Sequence, residues 1–159
     1  MKKIGYIMLV VALMALVISM APVMSVSQTS PLYTHFVYMF AHANWMHWLI
    51  NSWGLLMLHN LYNLQRLAVA YIVAVALSFV YYPALPVLGA SVFISFFTGF
   101  MIFWLYKKRR HVFWQVLALL IIGCFIPHIA AAYHIIMFVA GLIYNRIEWL
   151  KADYDIFTK

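Results

Sequence analysis

The sequence predicts an all-α membrane protein, a bundle of six transmembrane helices with the N- and C-termini cytoplasmic. Three observations carry that expectation. Of the 159 residues, 68% are hydrophobic and only 8% charged, and the mean hydropathy is +0.98, a composition foreign to a soluble core. The apolar residues fall into runs close to the ~17–25 residues that a bilayer-crossing helix needs. The ten lysines and arginines punctuate those runs instead of gathering in one block.

Taken in order, the first helix is expected at 4–24, after Met1-Lys2-Lys3. Its apolar run of roughly 20 residues exceeds a signal-peptide core, and no small-x-small site clearly ends it, so it reads as an uncleaved span. Ser27-Gln28-Thr29-Ser30-Pro31 forms the next break. The second helix is expected at 36–58, closed by Asn60 to Arg66, and the third at 66–83, closed by Pro83 to Gly89. The fourth, 90–106, stops at Lys107 to His111; the fifth, 112–131, turns at Pro127-His128; the sixth is 133–149. One domain, 1–159, accounts for the length, with 150–159 as a short tail. There is no internal repeat and no low-complexity tract.

With the N-terminus placed in the cytoplasm, all ten basic residues fall on the cytoplasmic side. The three acids, Glu148 at the end of the sixth helix and Asp153 and Asp155 in the C-terminal tail, lie on that same side. The expected address is a multi-pass protein of a prokaryotic cytoplasmic (inner) membrane. A net charge of +7 reads as attraction to anionic membrane lipids, with no nucleic acid partner. Cys124 stands alone, so no intrachain disulfide forms; mid-run, it is a small buried hydrophobe. Trp and Tyr residues near helix ends, among them Trp45, Trp48, Tyr82, Trp104 and Trp149, read as interface anchors.

Polar groups inside apolar runs are costly and mark a wet or protein-lined interior. Here they are His42, His47 and Asn51 in the second helix, Ser91 opening the fourth, and His134 opening the sixth. All three helices enter from the outer face, which brings these groups to one depth. A hydroxyl, imidazoles and a carboxamide are the parts of a serine hydrolase. Ser91 at a helix N-terminus lies beside free backbone N–H groups, and Gly89 allows a tight turn before it. His47 and Asn51, four apart, share one helix face. Gly99 and Gly141 suit close helix contact. The competing reading makes these residues interhelical glue. No His-Glu-x-x-His occurs and no Asp or Glu lies in an outer-face run, so no metal and no cofactor are expected and carboxylate catalysis is excluded. His35, His59 and His111 are expected to be solvated, and His128 an ordinary loop residue.

These residues resemble the rhomboid intramembrane serine proteases, over about residues 31–147. His42-Ala-Asn-Trp-Met-His47-Trp-Leu-Ile-Asn51 is similar to the family's His-x4-His-x3-Asn stretch. Gly89-Ala90-Ser91 is similar to the start of its Gly-x-Ser-Gly motif, Gly99 to a small residue eight further on, and His134 with Gly141 to its base-bearing helix. The resemblance implies Ser91 as nucleophile and His134 as general base in a dyad without a carboxylate. It implies His47 and Asn51 as oxyanion donors with the Ser91 N–H, and His42 in the hydrogen-bonded surroundings. The chain departs from the family at Val92, Met137 and Ser95, and in a short loop over about 25–35 lacking a Trp-Arg pair. The function so implied is an intramembrane serine endopeptidase that cleaves transmembrane protein substrates near the outer membrane face. The alternative is a rhomboid-like pseudoprotease that binds membrane clients, its dyad loosened by Val92 and Met137. A small transporter is a distant third, since inverted repeats are lacking. The sequence assigns no oligomeric state.

Overall fold

Apolar helical segments interrupted by capped breaks make up the computed structural model, which describes residues 2–16, 18–61, 63–81, 86–123 and 130–157. The chain divides into two compact units, Met1–Ile94 and Ser95–Lys159.

In the first unit, α1 (Lys2–Leu16) is followed by a 3-10 turn at Ile18–Met20 and a short α2 (Ala21–Met24). Pro22 has no N–H for the carbonyl one turn earlier, so the α-helical ladder of α1 does not continue unbroken into α2. The stretch 36–58 is also divided, into α3 (Thr34–Val37), a 3-10 turn at Tyr38–Phe40 and α4 (Trp45–Met57). Between them Ala41 is extended at φ −82° and ψ 154°. Asn44, at φ −163° and ψ 174°, then accepts the His47 N–H at 2.9 Å. That bond gives a first-turn N–H the acceptor the helix itself lacks, which fixes where α4 starts. Asn63 starts α5 (Leu64–Val80) the same way, accepting the Arg66 N–H at 2.7 Å.

α1 packs against α4, where Trp48 Nε1 donates to the Val11 carbonyl at 3.0 Å. α3 packs against α5. The Tyr38 hydroxyl donates to the Ala74 carbonyl at 3.0 Å, and the Tyr71 hydroxyl to that of Phe36 at 3.1 Å. His35, expected to be solvated, is buried here. Its ring stacks on Phe79 at 4.2 Å, and Nδ1 meets Ser78 Oγ at 3.0 Å, so both its apolar face and a polar atom are satisfied. His59 is half-buried against the Leu56 carbonyl, whereas His111 is exposed.

α6 (Ser91–Lys108) begins in the first unit and continues into the second, which also holds α7 (Arg110–Gly123) and α8 (Ala131–Phe157). α7 packs on α8. α6 and α8 meet backbone to backbone. A Cβ at Gly99 would land on the Phe138 carbonyl, and one at Gly141 on that of Phe96. Phe96, Phe97 and Met137 are fully buried, each contributing about 1.5–3 kcal/mol by leaving water.

Among the described residues no helix is both long enough and apolar enough to cross a membrane. α1, α4, α5 and α7 have 15, 13, 17 and 14 residues, short of the ~20 that a hydrocarbon core requires. α6 reaches 18 residues but closes on Lys107-Lys108. The 27 residues of α8 include His134, Asn145, Arg146 and Glu148. These findings overturn the bundle of six transmembrane helices, its cytoplasmic termini, and the address as a multi-pass protein of a prokaryotic inner membrane. The helical class stands, but the spans do not, because apolar run length ignores the breaks at Ile18–Met20 and Ala41–Asn44. Cys124, Pro127, His128, Tyr82, Pro83 and Lys159 lie outside the described residues.

Candidate active site

Hydroxyl bonds order the segment after α2. The Ser27 N–H reaches Ser30 Oγ at 2.8 Å, and the two hydroxyls lie 2.9 Å apart. Ser30 Oγ donates to the Ser25 carbonyl at 3.0 Å, which makes Ser27 the donor between the pair. Tyr33 adds a hydroxyl bond to the Val23 carbonyl at 2.7 Å. Val26, held within this segment, forms an isolated antiparallel bridge with Val87, both N–H···O distances being 2.9 Å. The bridge aims the chain into Gly89, whose N–H donates to the Tyr38 carbonyl at 3.0 Å. Gly89 has φ 109°, a conformation that a side chain disfavours.

The bare Cα of Gly89 faces His47 and Asn51. A Cβ there would lie 2.9 Å from His47 Nε2 and 3.1 Å from Asn51 Nδ2. The Ala43 N–H donates to His47 Nδ1 at 3.4 Å, so a neutral imidazole carries its proton on Nε2. Asn51 Nδ2 is buried and has no hydrogen-bond partner. Two N–H donors thus converge on one glycine. A buried donor without an acceptor costs about 1–3 kcal/mol, a cost that an oxygen placed at Gly89 would relieve.

His42 is fully buried, its ring edge-on to that of His47 at 5.1 Å, and neither ring nitrogen has a partner. Burial first, and His47 second, push its pKa down to about 4; the Phe40 backbone pulls the other way without reaching hydrogen-bond geometry. Burial also lowers the pKa of His47. At neutral pH both rings are uncharged, so His47 acts as a neutral donor.

Ser91 lies two residues beyond Gly89, half-buried at the start of α6. The Ala90 carbonyl takes the N–H groups of Phe93 at 3.0 Å and Ile94 at 3.2 Å, which sets Ser91 at the positive end of the helix. The structure therefore gathers His42, His47, Asn51 and Gly89, with Ser91 immediately downstream. Membrane depth is not what gathers them; the Val26–Val87 bridge and the Tyr38 carbonyl are. Those backbone contacts are not legible in the sequence, since a carbonyl acceptor leaves no residue signature. Asn44 did leave one, as an N-cap type directly before an apolar run. His134 belongs to the second unit, half-buried on the first turn of α8, its N–H on the Ala130 carbonyl at 3.3 Å. Val92, Ser95 and Met137 are buried.

A second serine–histidine pair, Ser78 and His35, is built differently. Ser78 Oγ gives its proton to the Val75 carbonyl at 2.6 Å and so accepts from His35, leaving no base for the serine. Among the described residues no group of three or more His, Cys, Asp or Glu is placed to hold a metal ion. Compared with protein-family models, with curated proteins and with solved structures, the chain matches none.

Proposed function

We propose that the chain is a serine-type endopeptidase, rhomboid-like in its chemistry, acting on the apolar segments of transmembrane proteins. The observation that carries the reading is the pair of donors, His47 Nε2 and the unpartnered Asn51 Nδ2, converging on Gly89 two residues before Ser91. Donors fixed where charge develops stabilise a tetrahedral oxyanion without reorganising. In the reaction Ser91 Oγ attacks the scissile carbonyl as its proton passes to His134, the base implied by the rhomboid resemblance. His134 then protonates the leaving amine, and water, activated by the same imidazole, releases the acyl group from Ser91. The dipole of α6 favours the negative oxygen beside Ser91.

A second reading has one observation in its favour. Val92 and Met137, at 1% and 0% exposure, fill space where the family pattern has glycine, and a nucleophile misplaced by ~1 Å loses on the order of 10²-fold in rate. The chain then binds membrane-protein clients without cleaving them. Labelling with a serine-directed fluorophosphonate, beside cleavage of a generic single-span substrate, separates the two. Labelling and cleavage that vanish in Ser91→Ala and His134→Ala support the endopeptidase. Full activity in Ser91→Ala rejects it, and client binding without labelling establishes the second reading.

A further inference from the structure

Four consecutive cations occupy the turn between α6 and α7: Lys107, Lys108, Arg109 and Arg110, all exposed. The turn is rigid. Arg109 is its single non-helical residue, with its N–H on the Leu105 carbonyl at 2.8 Å and its own carbonyl taking the Phe113 N–H at 3.0 Å. Tyr106 and Phe113 lock the two helix ends together edge to face at 5.2 Å. Exposed Trp104, Tyr106 and Trp114 flank the cations, and the Arg110 guanidinium lies 5.5 Å from the Tyr106 ring.

Helix electrostatics explain only half of this cluster. Lys107 and Lys108 end α6, where cations complement the helix dipole. Arg110 opens α7, where a cation opposes it, so Arg110 is placed at a cost to the fold. A ligand bearing negative charge removes that cost. The flanking aromatics narrow the ligand class, because indole and phenol rings beside lysine and arginine suit the boundary between a polar headgroup layer and acyl chains.

We infer that the α6–α7 turn is a binding site for the headgroups of anionic phospholipid at a bilayer surface. The cations contact the phosphates while Trp104 and Trp114 rest at the acyl boundary. No crossing helix is needed for this contact, and it is independent of the Ser91 site.

The test uses the purified full-length chain and sedimentation with two vesicle preparations, phosphatidylcholine alone and phosphatidylcholine mixed with phosphatidylglycerol. Phosphatidylglycerol should tighten binding, and added salt should erase the gain. Neutralising all four residues (Lys107→Gln, Lys108→Gln, Arg109→Gln, Arg110→Gln) should remove a preference of roughly 600-fold, at about fivefold per charge. The pair Arg109→Lys and Arg110→Lys should keep it, because point charges suffice. Arg110→Gln alone decides the matter if the quadruple variant does not fold. It should lower the preference for phosphatidylglycerol about fivefold, which an arginine that does not touch the headgroups would not do. Equal binding to the two vesicles, or an unchanged preference in Arg110→Gln, overturns the site. Displacement from vesicles by inorganic phosphate at equal phosphate concentration reassigns it to free phosphate, and tighter binding of single-stranded RNA than of anionic vesicles reassigns it to nucleic acid.

Discussion

At the residue scale, Gly89 and His42 make the sharpest demands. Gly89→Ala meets two obstacles at once: a φ of 109° and a Cβ 2.8 Å from His47 Cε1. The backbone strain alone costs about 1–2 kcal/mol, and the imidazole must move off its line to residue 89. Urea unfolding should show the destabilisation, and cleavage should fall by at least ~10²-fold; wild-type stability with full cleavage would contradict this geometry. His42 titrates in the opposite sense to a salt-bridged histidine. Its folded-state pKa of about 4 lies below the ordinary 6.5, so the unfolded chain binds the proton first as pH falls. Stability is complete above about 6.5 and is lost toward 4, by at most on the order of 3 kcal/mol. His42→Phe removes two unpartnered nitrogens, so at neutral pH stability should hold or rise, and the acid loss should shrink to the part due to His47. Urea melts at neutral and mildly acidic pH give the comparison; an unchanged pH profile in His42→Phe counts against it.

At the element scale, the sequence was informative where charge or capping chemistry marks a boundary. Lys107 to His111 stood out as a break because four cations end one apolar run and open another. The division of 36–58 did not stand out. Ala41 to Asn44 carries no proline or glycine, and Asn44 was absorbed into the expected helix although an N-cap needs that residue type. The close approach of α6 and α8 was visible in Gly99 and Gly141, whose spacing suits backbone contact. Gly99→Ala would set a methyl on the Phe138 carbonyl, which has no rotamer to yield, so the helices must part. A loss of about 1–3 kcal/mol or more is expected. Gly5→Ala is the matched control, since nothing lies within 4 Å of its added carbon and alanine favours α1 by roughly 0.5–1 kcal/mol. Thermal melts in which the two substitutions behave alike would refute close α6–α8 contact.

At the scale of the whole molecule, apolar composition leaves apolar surface. α4 alone exposes Trp45, Met46, Leu49, Ile50, Trp53 and Met57. Patches of that kind seek detergent, lipid or another protein surface. Size-exclusion chromatography without detergent should give large assemblies, and mild detergent should disperse them; a monodisperse monomer in plain buffer would run against the exposed faces described here. Composition therefore foretold a greasy surface but not how the chain uses it, since run length alone implied crossings that the broken helices do not make. The candidate site was legible in part. His47 and Asn51 announce a shared face by their spacing of four, and Gly89 announces a turn. What joins them, the Val26–Val87 bridge and the Tyr38 carbonyl, consists of main-chain groups that every residue possesses.

That bridge also sets a clock on biosynthesis. The donors of α4 leave the ribosome well before Val87 and Gly89, so the nascent chain carries His47 and Asn51 before the turn that faces them. Only when Val87 emerges and pairs with Val26 can the glycine turn settle beside them. A ribosome stalled anywhere before residue 87 therefore holds a polypeptide with the donors made and the glycine turn still to come.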